Sequence, residues 1–331
     1  MKKLYWIFIV ILLFFAGDRL FGWVLKQLTE KSQFRYSRLY QGKAKADILL
    51  VGNSRGLIFY QPHIEKITGQ KTFNISYNGM PINLAEVLVK DYLEKYPAPK
   101  QMIVDVSMCD RLNKSLISGF NIYTSYSPRM YDLIHRNDTT GAVAGKIVNI
   151  YRYNSEIFQR SMFYLNKTDE DWLLDRVIND AMVEGITDYV PDTIKIEERY
   201  TIKPEDRKER LLKNITNQLA SKINRMVTGK TNEEDEIVKG VMDHLVSTVE
   251  FAKAKGVDVK LVINPYYPPY LDKLVNLDLL KAEAEKATGM KVHDYSGAVT
   301  DKAGFGDYQH LNKAGSRIFL DKLKADGILG K

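Results

Sequence analysis

Two short motifs near opposite ends of the chain carry residue types that can perform acyl transfer. Residues 52–56 read Gly-Asn-Ser-Arg-Gly and follow a short apolar run, and residues 307–310 read Asp-Tyr-Gln-His just before the last amphipathic stretch. A serine hydroxyl becomes nucleophilic when an imidazole accepts its proton, and that imidazole needs a carboxylate to fix its tautomer. If the two motifs meet in space, Ser54, Asp307 and His310 form a hydrolytic or acyl-transfer centre.

The elements around these motifs follow an α/β pattern. Apolar, strand-like runs are expected at residues 48–51, 72–76, 102–106, 257–264 and 291–294. Amphipathic helices are expected between or after them, at residues 82–96, 237–255, 270–288 and 312–325. Strands that alternate with helices predict a parallel sheet with helices on both faces, and sites in such sheets form beyond the carboxyl ends of the strands. Four candidate residues are expected at that edge: Ser54, Gly79, Asp110 and Asn264.

Residues 112–235 break this alternation. The segment is rich in Tyr, Asn, Arg and Lys and has helical patterns near Trp172 and Leu211, but no strong strand-like run. It therefore predicts a mostly helical insertion in an α/β domain that is built from residues 46–111 and 236–331.

The N-terminal segment has the pattern of a membrane anchor. Lys2 and Lys3 precede the apolar residues 4–16, and after Asp18 and Arg19 the apolar pattern resumes and continues to residue 25. That length matches the roughly 20 residues that a bilayer crossing needs. We expect residues 1–25 to be an uncleaved signal anchor in the cytoplasmic membrane, with a single crossing.

The flanking lysines predict the orientation of this anchor. Lysines on the cytoplasmic side place everything after about residue 30, beginning with a polar, basic connector that ends near residue 45, outside the cytoplasm. A cleaved signal peptide is one alternative, although no clear small-x-small cleavage site is present. The other is a buried helix of a soluble esterase, which the lack of a polar face disfavours.

Composition narrows the function classes. The 331 residues are 45% hydrophobic, enough for a sizeable core, and the net charge of +7 favours an anionic membrane surface or an acidic polymer. The basic residues do not cluster with aromatic ones, so no nucleic-acid partner is expected. Cys109 is the only cysteine, which excludes an intramolecular disulfide and a thiolate metal cluster. Neither a phosphate-binding loop nor metal-ligand spacing is present, so no cofactor and no metal are expected.

The position of the two motifs resembles the SGNH/GDSL hydrolase superfamily. In that superfamily a Gly-x-Ser block opens the domain and an Asp-x-x-His block closes it, whereas the similar nucleophile elbow of α/β-hydrolases normally follows several strands. The resemblance covers about residues 46–110 and 236–330. It implies an SGNH-like fold of the flavodoxin-like kind, with Ser54 as nucleophile, His310 as general base and Asp307 as the group that orients it.

The resemblance also implies an oxyanion hole, with one departure from the family pattern. Its donors would be the backbone N–H groups of Ser54 and Gly79. The family's third block, Gly-x-Asn-Asp, falls near residues 107–110, where no Asn is present. Asn78 or Asn264 are the candidates to replace that donor, and both are candidate substrate-binding residues.

Arg55 follows the serine directly and is a candidate clamp for an anion or acyl carboxylate, or else a surface residue. A Gly-x-Ser-Arg start behind an anchor looks like a divergent branch that includes the teichoic-acid D-alanylation protein DltD and the alginate O-acetylation proteins. The aromatic loop at residues 266–269 is a candidate lining for a sugar acceptor groove or a packed loop. His293 and Asp294 form a second His-carboxylate pair, but no serine partner accompanies them.

Two functions follow from this resemblance. The first is a serine acyltransferase or esterase that acts on a cell-surface polysaccharide or related polymer with an acyl-donor substrate, beside a membrane-bound O-acyltransferase. The second is a non-catalytic scaffold of the same fold that partners such an acyltransferase, and the missing third-block Asn is its support.

Overall fold

A computed structural model describes residues 2–110, 114–165, 177–178, 182–183, 189–194, 196, 233–274 and 277–330. The chain divides into two compact units. Unit 1 comprises Met1–Lys45, Glu94–Tyr96 and Asn113–Leu174, and unit 2 comprises Ala46–Leu93, Pro97–Leu112 and Asp175–Lys331. The domain boundaries expected from the sequence stay a prediction.

Unit 2 is built around a five-stranded parallel sheet. Its strands are β1 Ile48–Val51, β2 Thr72–Asn74, β3 Gln101–Asp105, β4 Asp258–Ile263 and β5 Val292–Asp294. They lie in the order β2-β1-β3-β4-β5, and every neighbouring pair is parallel. This is the order of doubly wound sheets, in which the chain switches direction beside β1 and β3 and opens a crevice at their carboxyl ends. The α/β class and the parallel sheet expected from the sequence are confirmed.

Helices cover the sheet and make up unit 1. In chain order they are α1 Lys2–Lys31, α2 Arg35–Tyr40, α3 Gln61–Thr68, α4 Ile82–Lys95, α5 Lys114–Gly119, α6 Pro128–Asn137, α7 Thr139–Ile147, α8 Glu156–Phe163, α9 Glu233–Ala254, α10 Pro268–Leu271, α11 Leu277–Thr288 and α12 Lys313–Ala325. Short 3₁₀ turns lie at Ser54–Ile58, Val106–Asp110, Phe120–Tyr123, Asn149–Tyr153 and Lys302–Gly304. A separate antiparallel pair joins Val177–Ile178 to Met182–Val183.

The helix expected at residues 270–288 is divided in two. After α10, the backbone N–H groups of Lys273 and Leu274 bond to carbonyls three residues back instead of four. Such tightened bonding is typical of a helix end. A second helix, α11, then begins at Leu277.

Apolar packing fixes α3 and α12 on one face of the sheet. The core cluster there combines strand residues with residues of the helices and the turn after β1: Ile48, Leu50, Ile103, Val262, Ile58, Phe59, Ile64, Phe319, Leu320 and Leu323. All are almost fully buried, and burial of one such side chain contributes roughly 1.5–3 kcal/mol. The Ser316 hydroxyl of α12 also donates to the Ile58 carbonyl at 2.5 Å. Packing of α12 therefore brings the end of the chain to the turn after β1.

Unit 1 contains α1 and an aromatic cluster. The cluster joins α2 to the turn after α5 through ring contacts of Phe34, Tyr36, Tyr40, Phe120, Tyr123 and Tyr126. In α1, Tyr5–Lys31 is long and apolar enough to cross a membrane, and 11% of its apolar window is buried. The first part of the expected insertion, from Lys114 to Phe163, is helical. The helical patterns near Trp172 and Leu211 lie outside the described residues.

Candidate active site

Ser54 lies in a sharp turn at the carboxyl end of β1. A Cβ atom on Gly52 would lie 2.8 Å from the Gly56 Cα, and one on Gly56 would lie 2.9 Å from the Ser76 Cβ, so both positions require glycine. The Asn53 side chain accepts a hydrogen bond from the Arg55 backbone N–H at 2.9 Å and caps the 3₁₀ turn. The Gly-x-Ser-x-Gly spacing is thus explained by backbone crowding on both sides of Ser54.

The second motif forms a closed turn that leads into α12. One oxygen of Asp307 accepts hydrogen bonds from the backbone N–H groups of Gln309 and His310, at 2.7 and 2.8 Å. The Asn312 side chain then caps α12 by accepting from the Gly315 N–H at 3.0 Å. Because α12 is packed on the sheet, the turn holds His310 in a fixed position.

The structure brings Ser54, His310 and Asp307 together in one hydrogen-bonded chain. The Nε2 atom of His310 lies 2.9 Å from the Ser54 Oγ. Its Nδ1 atom lies 2.7 Å from Oδ2 and 2.9 Å from Oδ1 of Asp307. A carboxylate accepts and does not donate, so Nδ1 carries the hydrogen and Nε2 is left to accept the serine proton. The His310 and Asp307 side chains are 22% and 38% exposed, so the centre is open to solvent on one side.

The electrostatics keep Asp307 ionised. Partial burial raises the pKa of its carboxyl, but the charge and side-chain hydrogen bond of His310 and the two backbone N–H bonds lower it by more. The pKa of Asp307 therefore lies below its usual value. An ionised carboxylate is what holds an imidazole in this tautomer and stabilises the imidazolium that forms during acyl transfer.

The residues expected to line an oxyanion hole lie at the same edge of the sheet. None of the described residues accepts a hydrogen bond from the Ser54 backbone N–H. Asn78 and Gly79 lie in a half-exposed turn after β2, where Gly79 has a φ of 62°. The Asn74 side chain ties this segment to the serine turn by donating to the Gly56 carbonyl at 2.9 Å. The roles of Ser54 and Gly79 as oxyanion donors stay a prediction.

Arg55 points inward to a buried carboxylate. Its side chain is 5% exposed, its Nε lies 3.9 Å from the Asp105 Oδ2, and its guanidinium donates to the Asn264 carbonyl. The guanidinium carbon lies 3.2 Å from the centre of the Tyr266 ring, which covers it. Planar guanidinium groups favour such stacking on aromatic faces.

Asn264 closes this network from the end of β4. Its amide nitrogen donates to the Arg55 carbonyl at 3.0 Å and to the Asp105 Oδ2 at 2.9 Å. These bonds use both amide hydrogens, so Asn264 braces the serine turn from inside the protein. The substrate-binding roles expected for Arg55, Asn78 and Asn264 stay predictions, and the contacts of Arg55 and Asn264 favour a positioning role.

Asp105, the last residue of β3, is the member of this network that the sequence did not single out. It is fully buried, and burial raises the pKa of its carboxyl, an effect partly offset by Arg55, Ser107 and Asn264. Its oxygens accept from the Ser107 backbone N–H and hydroxyl at 3.1 and 2.8 Å. A carboxylate that ends an otherwise apolar strand is the signal that marks it.

Residues 107–110, where the resemblance leads us to expect a third block, lie in a 3₁₀ turn, Val106–Asp110. Ser107 is engaged with Asp105, and the Cys109 thiol is buried. The backbone of Asp110 ends this turn, and its side chain lies outside the described part of the structure. No asparagine comes from this turn.

The aromatic loop after β4 and the tyrosine that follows it, Tyr270, lie against the segment that holds His310. Tyr270 packs against Tyr308 with ring centres 4.9 Å apart, and its hydroxyl accepts from the Gln309 side chain at 3.0 Å. Tyr267 packs against Phe305 in the same manner, at 5.4 Å. The two middle residues of the Asp-Tyr-Gln-His motif are thus used to hold this loop.

In the second His-carboxylate pair, the carboxylate is bound by a lysine. His293 and Asp294 lie on β5, and Asp294 pairs with Lys281 at 3.7 Å. Over the described ranges, no group of three or more His, Cys, Asp or Glu side chains is arranged to hold a metal ion.

No protein-family model matches this chain, and no characterised protein matches its sequence significantly.

Proposed function

We propose that this chain is a membrane-anchored, SGNH-type serine acyltransferase or esterase that acts on O-acyl groups of a cell-surface polysaccharide or related polymer outside the cytoplasm. One observation carries the proposal: the hydrogen-bonded chain from the Ser54 hydroxyl through His310 to Asp307. Ser54 and His310 are 256 positions apart in the sequence, so local sequence does not place them together. These residues belong to the two motifs on which the SGNH resemblance rests.

The first half of the reaction forms an acyl-enzyme. Nε2 of His310 accepts the hydroxyl proton as the Ser54 Oγ attacks the acyl carbonyl carbon of the donor. The carbonyl electron pair moves to oxygen, and backbone N–H groups at Ser54 and Gly79 stabilise that oxyanion. Each such donor contributes roughly 3 kcal/mol in the transition state. The ester bond then breaks, and the leaving alcohol takes the proton from His310.

The second half transfers the acyl group. A sugar hydroxyl or a water molecule gives its proton to His310 and attacks the acyl carbon, and the Ser54 Oγ leaves with that proton. A sugar hydroxyl gives O-acyl transfer, and water gives ester hydrolysis. The two outcomes share every protein group, so the same residues serve both.

The N-terminal helix supports an envelope substrate. An uncleaved anchor with lysines on the cytoplasmic side tethers the chain to the membrane and places the residues after about residue 30 outside the cytoplasm, in the compartment of the polymer and of a membrane-bound O-acyltransferase partner. The net charge of +7 favours an acidic polymer or lipid surface.

Labelling with a fluorophosphonate probe tests the chemistry. The full chain in detergent or lipid is expected to become labelled at Ser54, and Ser54→Ala and His310→Ala are expected to abolish labelling. His293→Ala is the matched control, since His293 also stands next to an aspartate at a strand end but has no serine partner. It is expected to label at the wild-type rate.

The alternative is the non-catalytic scaffold. It is favoured by the missing third-block Asn and by Asn264, whose amide hydrogens are both bonded within the protein. A folded wild-type chain that is not labelled, together with full function of Ser54→Ala in cells, would select the scaffold and refute the enzyme. A reporter fused after residue 331 tests the topology, because it should be active only outside the cytoplasm.

A further inference from the structure

Asp18 and Arg19 interrupt the apolar pattern of α1, and unit 1 satisfies both of them. The Asp18 carboxylate is buried and accepts hydrogen bonds from the backbone N–H groups of Asn149 and Ile150, at 2.9 and 3.0 Å. Arg19 pairs with Asp18 at 3.3 Å and donates to the Ile147 carbonyl at 3.0 Å. The end of α7 and the turn after it are therefore docked on α1 at the level of residue 18.

The length of α1 fixes where this level lies. Residues 4–16 alone rise about 20 Å, less than the roughly 30 Å of a hydrocarbon core, so a crossing must also use residues 20–25. Asp18 stands about 10 Å before Leu25 along the helix axis. A segment that is docked at Asp18 consequently lies inside the bilayer, short of the position where the crossing ends.

The docked segment presents an apolar surface at that depth. Four apolar side chains, which we name the interfacial patch, are exposed: Val143, Ile147, Ile150 and Tyr151, at 38%, 51%, 40% and 37%. Lys146 is also exposed, and its Nζ lies 5.2 Å from the centre of the Tyr131 ring. A lysine at such a position can extend its ammonium group to the lipid headgroups. The neighbouring surface of α1 is also apolar and exposed, at Leu20, Phe21 and Trp23. Tryptophan and tyrosine are enriched where a bilayer meets water.

Several peptide groups of this segment are bonded, as immersion in lipid requires. Non-helical backbone is tolerated at membrane depth only where its polar groups are bonded. Asp18 and Arg19 bond three of these groups, Arg152 donates to the Gly145 carbonyl at 2.6 Å, and the Val148 N–H bonds to the Ala144 carbonyl at 2.8 Å. The charged side chains of Asp18 and Arg19 in α1 thus bond peptide groups of the docked turn.

We propose that the interfacial patch is a second membrane contact, embedded among the lipids on the side of the bilayer away from the N-terminus. Its occupant is the lipid acyl chain and headgroup boundary, because the patch is continuous with the apolar surface of α1. The inference rests on the membrane anchor of the proposed function and is independent of the chemistry at Ser54. Unit 1 is then held to the bilayer by two elements.

Depth-dependent quenching tests the proposal. The full chain with Cys109→Ser is labelled with an NBD fluorophore at Ile147→Cys or Ile150→Cys and reconstituted in phosphatidylcholine–phosphatidylglycerol vesicles that contain acyl-chain nitroxide lipids. Leu20→Cys reports the anchor, and Phe163→Cys on α8 is the control, because Phe163 is also in unit 1 and is 39% exposed, like Ile150. Phe163 follows Ser161, whose carbonyl accepts from the Ser32 hydroxyl at 2.6 Å, past the end of the crossing. We expect quenching at both patch positions to approach that at Leu20, while Phe163 stays unquenched.

Each other outcome overturns a defined claim. Quenching at Leu20 alone, with the patch positions quenched no more than Phe163, refutes the membrane contact of the patch but not the anchor. The patch would then be free to bind a protein partner. No quenching at Leu20 refutes the anchor and the patch together. Fluorophosphonate labelling of Ser54 is unaffected in every case, which separates this test from that of the enzyme.

A glycine pair in α1 tests the docking. A Cβ atom on Gly22 would lie 2.5 Å from the Asn149 Cβ, whereas one on Gly17 would meet nothing within 4 Å. Gly22→Leu is therefore expected to lower quenching at Ile147 and Ile150 without changing that at Leu20. Gly17→Leu is expected to leave all positions unchanged. Equal effects of the two variants would refute docking on α1 as the cause.

Discussion

Asp105 and Asp307 both belong to unit 2, and each is linked to the serine turn through one hydrogen-bonded side chain, Asn264 or His310. Their surroundings nevertheless differ. Asp105 is completely buried and faces Arg55, Asn264 and Ser107, all of which are also buried. Asp307 is 38% exposed on its side chain and faces His310, whose other nitrogen reaches Ser54. One carboxylate is enclosed, and the other ends a chain of hydrogen bonds that opens to solvent.

The two aspartates have the same side chain, and their different environments favour different roles. Burial raises the pKa of Asp105, which lies enclosed among the polar groups that it holds in place. The imidazole of His310 and the hydrogen bonds lower the pKa of Asp307, which keeps a negative charge beside the group that becomes positive in the proposed reaction. We therefore expect loss of Asp105 to affect mainly stability and loss of Asp307 to affect mainly rate.

Asp307→Asn gives the largest expected effect on rate. The amide keeps an oxygen for the Gln309 and His310 N–H groups but no longer selects the reactive imidazole tautomer, which costs roughly 10⁴-fold in turnover. The fluorophosphonate labelling rate and hydrolysis of p-nitrophenyl acetate measure this loss. The unfolding midpoint should change little.

Asp301→Asn is the matched control for that variant. Asp301 also caps a short turn, where it accepts from the Ala303 N–H at 2.9 Å, but it has no histidine partner. Its rate should equal that of the wild type. Equal losses in both variants would show that turn stability, and not the tautomer, is what Asp307 supplies.

Asp105→Asn gives the largest expected effect on stability. Removal of one partner from a buried ion pair leaves the Arg55 charge uncompensated, at a cost of about 3–5 kcal/mol. Denaturant unfolding of the full chain measures this loss, and the labelling rate per folded molecule should fall far less than in Asp307→Asn.

A double variant separates the ion pair from the rest of the network. Asp105→Asn combined with Arg55→Met removes both charges, so we expect it to be more stable than Asp105→Asn alone. Additive losses would mean that the two side chains act independently, and the bracing role of the pair would then be wrong.

Much of the fold follows from local sequence. The five strands lie within one or two residues of the expected runs because buried parallel strands are continuously apolar. The division of the helix after β4 was not predicted, because the periodicity of residues 270–288 continues across the break. Tyr270, near the end of the first of these helices, packs against Tyr308 of the turn that holds His310, a tertiary contact that periodicity does not reveal.

The site was partly predictable for a similar reason. Ser54, Asp307 and His310 were identified because their chemistry depends on short motifs whose spacing is visible in sequence. Asp105 was not, because its role arises from burial against Arg55 and Asn264, which come from two other parts of the chain. Arg55 was expected to face a ligand or solvent, and only the folded chain shows that its side chain turns inward.

A third carboxylate, Glu86, extends the comparison to a pair of helices away from the serine turn. It joins α4 to α9 by accepting from Ser247 at 2.6 Å and by contacting Lys90 and His244, each at 2.5 Å. Burial raises its pKa, but these partners lower it by more, to about 2 from 4.5. We expect Glu86→Gln to lose on the order of 2–3 kcal/mol of stability at neutral pH.

The pH dependence of that loss follows from the sign of the shift. A lowered pKa stabilises the folded state fully above 4.5, and the stabilisation disappears as the pH falls toward 2. The gap between wild type and Glu86→Gln should therefore close over that range. Glu283→Gln is the control, because Glu283 forms an exposed pair with Lys286. A gap that does not depend on pH would show that Glu86 acts through packing. Neither variant should change the labelling rate.

Gly79→Ala gives the smallest expected effect and tests the oxyanion hole. Gly79 and Gly69 have φ angles of 62° and 69°, so alanine at either position costs about 1 kcal/mol of backbone strain. Gly69 ends α3, and a Cβ atom there would meet nothing within 4 Å, which makes Gly69→Ala a control for strain alone. Alanine keeps the N–H group, but strain at this positive φ is expected to shift the peptide that carries it. If the Gly79 N–H binds the oxyanion, Gly79→Ala therefore lowers the labelling rate and Gly69→Ala does not. Equal rates at equal stability would show that backbone strain at Gly79 does not reach the reacting carbonyl, which contradicts a donor held in place by this turn.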